Sequence, residues 1–241
     1  MTKFRLDQLL VQKGLVPSRS QAESWIKLGK VLVDGKPNTK PGYFLSADAK
    51  VELKAEEQYV SRAGLKLASV AKLLKLNFTN KVVLDVGSST GGFTDYALRH
   101  GARKVIAVDV GTDQLHPSLH GHKRIELHEQ TDIRDMTELS EAPDIVVIDV
   151  SFISLREILP HVAKLSTPNT LIAAMLKPQF EVGSRSKNKG VIKNDSVRRD
   201  ILRDFEAWAK NVFVMRDKRD SEVAGSKGNR ERFYLLSPLQ E

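Results

Sequence analysis

Apolar and polar positions follow one another along the chain in a pattern that changes near residue 60. Beyond it, apolar runs of strand length alternate with segments whose apolar residues recur every three or four positions. We interpret as strands the runs 81–86, 103–109, 124–128, 144–149, 170–176, 211–216 and 232–236. This alternation predicts an α/β fold, a Rossmann-like sheet of seven strands that is mostly parallel. The last two runs have no obvious helix between them, which predicts an antiparallel last strand in an edge hairpin.

A smaller α+β unit precedes this region. Its first apolar positions predict a short amphipathic helix that ends at Gly14, and Ser18 is the predicted N-cap of a second helix. A strand, a turn at residues 34–35 and a further strand over 50–53 follow. Residues 54–60 are polar and carry no pattern, so we interpret them as a linker. We expect a small α+β domain with its linker over residues 1–58 and the α/β domain over residues 59–241.

Bulk composition narrows the class of protein. The 241 residues include no cysteine, which excludes disulfides and thiolate metal sites and fits a reducing cytoplasm. The formal net charge of +8 favours a polyanionic partner, nucleic acid first and an anionic membrane surface second, over a merely basic cytosolic protein. The N-terminal stretch MTKFRLDQLL lacks a signal-peptide pattern, and no apolar run approaches the roughly 18 residues that span a bilayer. We therefore expect a cytoplasmic protein without a stable membrane partner.

The segment LDVGSSTGGFTDY, residues 84–96, predicts a strand, a glycine-rich turn and the start of a helix. Such a turn presents backbone N–H groups to a ligand, and small residues allow that ligand to approach. The loop from Gly87 to Gly92 lacks the second glycine of the dinucleotide fingerprint G-x-G-x-x-G. A ligand without pyrophosphate fits better, and S-adenosylmethionine meets that condition. We expect Asp85 to receive its ammonium, directly or through water, and loop amides to receive its carboxylate.

Acidic residues after the next two strands support a nucleoside ligand. Asp109 ends a strand 22 positions beyond Gly87, where it can accept hydrogen bonds from both ribose hydroxyls. Asp132 follows the third strand and is either a contact to the adenine amino group or a helix-capping or surface carboxylate. The predicted cofactor-binding set is Asp85, Gly87, Ser88, Gly91, Gly92, Phe93, Thr94, Asp109 and Asp132.

Four charged residues are candidates for catalysis. Asp149 and Lys177 end two apolar strands, and the carboxyl ends of parallel strands meet at the edge of a doubly wound sheet where ligands bind. Lys66 precedes the first strand of the sheet, and Glu231 opens the last one. Taken singly, Lys66 and Glu231 are better interpreted as charges that reach solvent.

Further residues are candidates for contacts to RNA. Phe152 and Phe180 flank the expected pocket and can stack a base, although core packing is the favoured role of Phe152. The segment 184–199 has six cations and one anion. It is either a mobile loop that grips RNA or a disordered charged loop. The cations of this segment that we expect to contact RNA are Arg185, Lys187 and Lys189.

The small N-terminal unit resembles the S4 RNA-binding domain. The shared pattern is R-L-D-x-L-L…G-L…S-R-x-x-A…I-x-x-G-x-V-x-V-x-G…K-P-G, which covers nearly the whole unit. The resemblance implies docking of a helix pair onto structured RNA, with Arg5, Arg19, Lys27 and Lys30 facing phosphate. Phosphate neutralisation supplies most of the sequence-independent affinity for nucleic acid.

The four catalytic candidates resemble the Lys-Asp-Lys-Glu tetrad of FtsJ-type ribose 2′-O-methyltransferases. Over residues 3–237 the chain resembles the hemolysin-A-like (TlyA) family of ribosomal RNA methyltransferases, in its shorter form. The motifs that carry this resemblance are VSRAGLKL, LDVGSSTGGFTD, DVSFISL, LKPQFE and GNRERFYLL. Ala63 stands where the family usually has a glycine, which leaves Lys66 in place. The resemblance implies methylation of ribosomal RNA or a ribosomal subunit, at a cytidine, with Lys177 accepting or steering the hydroxyl proton.

Three other classes of function stay open at this point. A ribosome-assembly factor without activity would keep the RNA-binding unit, a membrane-active hemolysin would match the family's historical name, and a nicotinamide dehydrogenase would share the fold. The glycine spacing disfavours the dehydrogenase, and the lack of a strongly amphipathic apolar segment disfavours the hemolysin. His116, His120 and His122 cluster without cysteine or an interleaved acid, so we expect no metal site.

Overall fold

The N-terminal unit consists of two helices and two small antiparallel sheets. The computed structural model describes residues 3–54, 59–182, 190–192, 194–225 and 228–239. The first elements are β1 (Lys3–Arg5), α1 (Leu6–Gln12), α2 (Arg19–Lys27), β2 (Val31–Val33), β3 (Lys36–Pro37), β4 (Phe44–Ser46) and β5 (Val51–Leu53). β1 pairs with β4, whereas β2 pairs with both β3 and β5. The β1–β4 pair was not predicted, because strands of three residues are too short to show an alternating pattern.

The start of α2 and the end of α1 lie close to their predicted positions. The side chain of Ser18 accepts a hydrogen bond from the backbone N–H of Gln21 at 3.3 Å, which confirms Ser18 as the N-cap of α2. Helix α1 ends at Gln12, and Gly14 follows with a φ of 67°, a conformation that glycine adopts without strain. Arg5, one of the four cations implied to face phosphate, lies at the end of β1, directly before α1.

The larger unit contains the predicted seven-stranded sheet. Its elements are α3 (Arg62–Ala71), β6 (Val82–Val86), α4 (Gly92–Arg99), β7 (Lys104–Val108), β8 (Ile125–His128), β9 (Ile145–Ile148), α5 (Leu155–Lys164), β10 (Leu171–Leu176), α6 (Pro178–Glu181), α7 (Asp195–Ala209), β11 (Phe213–Asp220) and β12 (Arg232–Pro238). The strand order is β11–β12–β10–β9–β6–β7–β8. The strands from β6 to β10 are parallel to one another, and β12 runs antiparallel to its two neighbours. The predicted fold class is confirmed, including the antiparallel last strand and the edge hairpin.

Two connections differ from the predicted strand–helix alternation. Between β7 and β8 and between β8 and β9, the regular structure is limited to single 3-10 turns, Pro117–Leu119 and Ile133–Asp135. The segments around these turns are rich in proline, histidine and glycine or in charge, and they lack the spacing of apolar residues that an amphipathic helix needs. This leaves the β8 side of the sheet with little helical cover.

Apolar side chains from both faces of the sheet form two buried layers. Helices α3 and α4 cover one face with residues such as Leu67 and Phe93, and α1 and α2 extend this layer into the N-terminal unit. Helices α5 and α7 cover the other face with residues such as Leu159 and Phe205. The central strands are buried on both sides, so they do not alternate, and Asp85 is the one charged residue within β6, β9 and β10.

The segment interpreted as a linker is partly structural. Tyr59 is only 3% exposed, and its ring lies 5.3 Å from that of Tyr96 on α4. The carbonyl oxygen of Tyr59 accepts a hydrogen bond from Gln21 Nε2 on α2 at 2.7 Å. The backbone N–H of Val60 donates to Asp95 on α4 at 2.9 Å. Residues 59 and 60 thus fasten α2 to α4, which corrects the expectation that the whole stretch is an unpatterned connection.

Candidate active site

The carboxyl ends of four parallel strands bring the predicted side chains together. Gly87, Asp109, Asp149 and Lys177 each follow directly the last residue of β6, β7, β9 and β10. The strand order reverses at β6: β7 and β8 lie on one side of it, and β9 and β10 lie on the other. Doubly wound sheets open a crevice for ligands at such a reversal of strand order.

The four catalytic candidates form two close ion pairs. Lys177 Nζ lies 2.5 Å from Asp149 Oδ1 and donates to Ser151 Oγ at 2.7 Å. Lys66 Nζ, from α3, lies 2.6 Å from Glu231 Oε2, and both side chains are buried. The interpretation of Lys66 and Glu231 as charges that reach solvent is therefore wrong. Breaking the buried Lys66–Glu231 pair would leave an uncompensated charge in the interior, which favours keeping the two side chains together. The Lys177–Asp149 pair is half-buried.

Gly225 makes room for one member of these pairs. A Cβ atom at this position would lie 2.7 Å from Glu231 Oε1, so a larger residue would push the carboxylate away from Lys66.

Three adjoining cavities meet near the Lys177–Asp149 ion pair. The largest, about 540 Å³, reaches from Gly87 and Asp109 to Asp132 and Phe152. The second, about 490 Å³, is lined by Lys66, Phe152, Lys177, Gln179, Phe180 and Glu231. The smallest, about 210 Å³, contains Asp85, Ser88, Thr90, Phe93, Asp149 and Lys177. Ser151 lines all three cavities, and Asp149 and Lys177 each line two, so one lysine–aspartate pair lies where the cavities join.

Asp85 presents an unsatisfied carboxylate oxygen to the smallest cavity. Its side chain is fully buried on β6 and accepts a hydrogen bond from Thr94 Oγ1 at 2.7 Å. The other oxygen, Oδ1, has no hydrogen-bond partner within the part of the chain that the structure describes. Burial raises the pKa of Asp85 to about 7, and the hydrogen bond from Thr94 opposes that shift. A cationic donor in this cavity would supply the missing partner, which fits the ammonium expected here.

The glycines of the loop mainly allow neighbouring parts of the chain to pack closely. A Cβ at Gly87 would lie 2.9 Å from the carbonyl oxygen of Asp149, and a Cβ at Gly91 would overlap the side chain of Leu115. A Cβ at Gly92 would lie 2.8 Å from the backbone nitrogen of Gly64 on α3. Of these three glycines, Gly87 lines the cavities, whereas Gly91 and Gly92 do not. Thr94 contributes through its hydrogen bond to Asp85 and does not line them either.

The two acidic residues assigned to the nucleoside both line the largest cavity. Asp109 accepts hydrogen bonds from the backbone N–H groups of Ser89 at 2.8 Å and Gly111 at 2.7 Å. Asp132 caps the turn Ile133–Asp135 and pairs with Arg134 at 2.7 Å. The hydrogen bond from Arg134 holds the pKa of Asp132 below its usual value, which keeps this carboxylate charged. The capping role and the cavity position of Asp132 are therefore compatible.

Phe152 does not pack in the core, so the favoured interpretation of this residue is wrong. Its side chain is 91% exposed, and its φ of 68° is unusual for a residue with a Cβ. Its ring lies 5.2 Å from that of Phe180 at the mouth of the second cavity. Ser151 and Gln179 also line the cavities and were not predicted, although each stands two positions after a predicted catalytic residue.

Two of the expected phosphate contacts share a buried carboxylate. Arg5 and Arg19 pair with Asp7 at 2.8 and 3.0 Å, and the Asp7 side chain is fully buried. The Arg19 side chain remains 53% exposed, so it can also reach a ligand. Lys27 is exposed with Glu23 at 3.8 Å, and Lys30 is exposed at the end of α2. The other predicted contacts, Arg185, Lys187 and Lys189, lie outside the described residues.

The histidine cluster makes local hydrogen bonds. His116 Nδ1 lies 2.8 Å from Ser118 Oγ, and His120 Nε2 lies 2.7 Å from the carbonyl oxygen of Leu115. His122 Nδ1 accepts from the backbone N–H of Arg124 at 3.2 Å. No three histidine or acidic side chains in the described ranges are grouped as a metal ion would require. Within the same ranges, no helix combines the length and hydrophobicity of a bilayer-spanning segment.

Fold and site together define a Rossmann-like α/β protein of the methyltransferase type, joined to a small α+β unit. The model of the FtsJ-like methyltransferase family matches residues 59–237, and the model of the S4 domain matches residues 4–51. The chain therefore belongs to the FtsJ-like methyltransferase family, in the TlyA group that also carries an S4 domain.

Similar proteins extend along nearly the whole chain. The 23S rRNA (cytidine-2′-O)-methyltransferase TlyA of Campylobacter jejuni is 37% identical over 246 residues, covering 93% of this chain and 96% of the relative. The 16S/23S rRNA (cytidine-2′-O)-methyltransferase TlyA of Mycobacterium tuberculosis is 37% identical over 244 residues, covering 97% of this chain and 90% of the relative. A solved structure from Streptococcus thermophilus, described as a hemolysin, matches with a TM-score of 0.74 and 35% identity. That match covers 100% of this chain and 90% of the other.

Proposed function

We propose that the protein transfers a methyl group from S-adenosylmethionine to the ribose 2′-hydroxyl of a cytidine in ribosomal RNA. The observation that carries this proposal is the Lys177–Asp149 ion pair where the three cavities join, with a second ion pair, Lys66–Glu231, lining one of them. Two lysines held by two carboxylates are suited to receive an alcohol oxygen that develops negative charge. A binding module without activity would not require the Lys66–Glu231 pair to be buried.

The residues that line the cavities support separate sites for the methyl donor and for the acceptor nucleotide. The smallest cavity offers Asp85 to the ammonium of the methyl donor. The largest cavity offers Asp109 to ribose hydroxyls and Asp132 to the adenine amino group, with Ile133 and Val110 as apolar walls. The junction of these cavities, beside Asp149, is then where the sulfonium would lie.

The second cavity suits the acceptor nucleotide. Phe152 and Phe180 stand at its mouth, and stacking of a base on an aromatic ring is worth roughly 1–3 kcal/mol. Lys66, Lys177 and Glu231 line the same cavity, so a nucleotide stacked there would bring its sugar towards the lysines.

The side chain of Lys177 is placed to act on the oxygen that receives the methyl group. When bound, S-adenosylmethionine supplies an electrophilic methyl group. A lysine ammonium has three N–H donors; Lys177 donates one of them to Ser151 and forms an ion pair with Asp149. A further N–H is available to hold the 2′-oxygen in line for attack and to stabilise its charge as the proton departs to water. Asp149 and Glu231 orient the two lysines through their ion pairs.

The S4 unit and the relatives support ribosomal RNA as the substrate. Arg19, Lys27 and Lys30 present exposed cations on or beside α2, and the chain as a whole carries a net charge of +8. Contacts of this kind supply affinity for the phosphate backbone. The two TlyA relatives described above act on cytidine 2′-hydroxyls of ribosomal RNA by name. A ribosomal substrate would place the protein in the cytoplasm.

A Lys177→Ala variant tests the proposal. Purified ribosomal subunits are incubated with labelled methyl donor, and modified nucleosides are identified by mass spectrometry after digestion. We expect the wild-type protein to form 2′-O-methylcytidine and the variant to lose at least about 1,000-fold in rate, since charge stabilisation at the reacting oxygen is lost. Donor affinity, measured by calorimetry, should stay within about threefold, because Asp85 and Asp109 remain.

The matched control is Lys210→Ala, which removes an exposed lysine after α7, away from the cavities. This variant should methylate like the wild type. Near-normal turnover by the Lys177→Ala protein would contradict its assigned role. A methyl group found on a base, and not on ribose, would contradict the proposed reaction.

A further inference from the structure

One buried carboxylate lies behind the candidate active site without lining its cavities. Glu181 is the last residue of α6, four positions after Lys177, and its side chain is only 2% exposed. Its Oε2 atom accepts a hydrogen bond from Ser154 Oγ at 2.6 Å, and its Oε1 atom accepts from the backbone N–H of Leu155 at 2.7 Å. Both donors belong to the start of α5, so Glu181 joins α6 to the N-terminus of another helix.

The start of α5 favours a carboxylate at this place. The first N–H groups of a helix have no partner within the helix, and the helix dipole attracts negative charge there. Burial raises the pKa of Glu181, while the hydrogen bonds from Ser154 and Leu155 lower it. Arg156 Nε lies 3.9 Å away and adds a distant positive charge. A buried carboxylate with these partners can move only at the cost of leaving them, which makes the connection between α6 and α5 stiff.

The two connected segments carry opposite halves of the reaction site. The segment before α5 contains Asp149, Ser151 and Phe152, and the segment around α6 contains Lys177 and Phe180. They meet in the Lys177–Asp149 ion pair at 2.5 Å and in the Phe152–Phe180 ring contact at 5.2 Å. Glu181 ties these segments together on the side away from the cavities.

We propose that Glu181 is a positioning residue that fixes Lys177 and Phe180 relative to Asp149 and Phe152. The inference rests on the proposed function, because it assigns to Glu181 the alignment of the residues that act there. Loss of the link would let the two segments separate, and a displacement of about 1 Å at a reacting group costs about 100-fold in rate.

The test compares Glu181→Ala, Glu181→Gln and Ser154→Ala with the wild-type protein. We expect kcat of Glu181→Ala to fall about 10- to 100-fold, with the Kd for the methyl donor within about twofold. Glu181→Gln should keep kcat within about threefold of the wild type, because an amide oxygen can still accept from Leu155. The double variant Ser154→Ala/Glu181→Ala should be no slower than Glu181→Ala alone, since both changes break the same contact.

A second measurement reports the link without any turnover. Hydrogen exchange of the Leu155 amide should speed up in Glu181→Ala and stay near the wild-type rate in Glu181→Gln, because only the alanine variant removes the acceptor. If the wild-type protein methylates no ribosomal RNA, the proposed function fails. Crystal structures of the wild type and Glu181→Gln or Glu181→Ala, comparing the Lys177–Asp149 and Phe152–Phe180 separations, then decide the positioning role alone.

The matched control is Asp144→Ala. Asp144 makes the same kinds of hydrogen bond, accepting from the backbone N–H of Val82 at 2.9 Å and from Lys81 Nζ at 3.0 Å. It directly precedes β9, at the amino ends of the parallel strands, whereas the cavities lie at their carboxyl ends. Its loss should lower stability but leave kcat of the folded protein within about twofold. Equal loss of kcat in both alanine variants, or a Glu181→Ala kcat within about twofold of wild type, would overturn the inference. If Glu181→Ala does not fold, the same limits apply to Ser154→Ala.

Discussion

Replacing Asp85 by asparagine should stabilise the protein above neutral pH and abolish binding of the methyl donor. Asp85 is fully buried, receives one hydrogen bond from Thr94, and has a second oxygen without a partner among the described residues. Burial raises the pKa of its carboxyl to about 7, and the nearby charges of Asp149 and Asp109 add to the increase. The carboxylate that suits the ammonium of the donor is therefore costly to the folded protein without that ligand.

The magnitude follows from the difference between the folded and unfolded pKa values. The unfolded carboxyl has a pKa of 3.8, so between that pH and about 7 the folded protein holds a proton that the unfolded chain has released. Release of that proton favours the unfolded chain, so the free energy of unfolding is highest below pH 3.8, falls as the pH rises from 3.8 to about 7, and is constant above that. One pH unit corresponds to about 1.4 kcal/mol. Ionisation of Asp85 should thus lower the free energy of unfolding by about 3 kcal/mol between pH 5 and pH 8.

Urea denaturation of the wild type and Asp85→Asn, measured at several pH values from 5 to 8, gives the free energies of unfolding. The difference between the two proteins should shift by about 3 kcal/mol in favour of the variant over this range. Calorimetry should show that the variant binds the donor at least about 100-fold more weakly, because a buried ammonium would lose its carboxylate. Asp95→Asn is the control, since Asp95 is buried but already paired with Val60 N–H and Arg99. A difference that stays constant with pH within about 0.5 kcal/mol would refute the reasoning.

Two further predictions concern the buried ion pair and the RNA-binding surface. Lys66→Met should lower the free energy of unfolding by about 3–5 kcal/mol, because it leaves the Glu231 carboxylate buried and unpaired. Adding Glu231→Gln should restore much of that loss in urea denaturation, and a single-variant effect below about 1 kcal/mol would contradict the prediction. Arg19→Ala should weaken binding to ribosomal RNA and reduce the slope of log K against log salt by about 1, whereas Arg19→Lys should keep the slope. An unchanged slope in filter-binding titrations of Arg19→Ala would show that this side chain serves only to pair with Asp7.

The fold of the larger unit was predictable because its strands are buried on both faces. Runs such as 81–86 and 170–176 are mostly apolar and do not alternate, and a parallel sheet covered by helices produces that pattern. The prediction of a helix after each strand was wrong between β7 and β9, where the structure has only 3-10 turns. The connecting residues there have no apolar face to bury against the sheet. The paired strands β1 and β4 were not predicted, because a strand of three residues is too short to show an alternation of apolar and polar positions.

The site was predictable only as far as strand ends determine it. Asp149 and Lys177 follow two adjacent parallel strands, and the register offsets them by only two positions, so their proximity follows from topology once both strands are assigned. The partnership of Lys66 with Glu231 depends on how α3 lies across the start of β12, which involves residues 165 positions apart and no local pattern. Phe152 shows the limit most clearly. Its apolar character suggested burial, but a positive φ turns the chain and leaves the ring exposed beside Phe180.

The spacing of the glycine loop reflects the packing of the chain as much as the shape of a ligand. Gly87 lies so close to the Asp149 carbonyl that a Cβ there would displace β9's exit, which carries half of the central ion pair. Gly91 and Gly92, four and five positions later, lie against Leu115 and the start of α3. Because α3 also carries Lys66, the close contact between Gly92 and the start of α3 helps to set the position of the second ion pair. The glycines at this strand end therefore allow separate segments of the chain to pack closely beside the cavities. Their spacing differs from that of a dinucleotide loop because different segments pack against them.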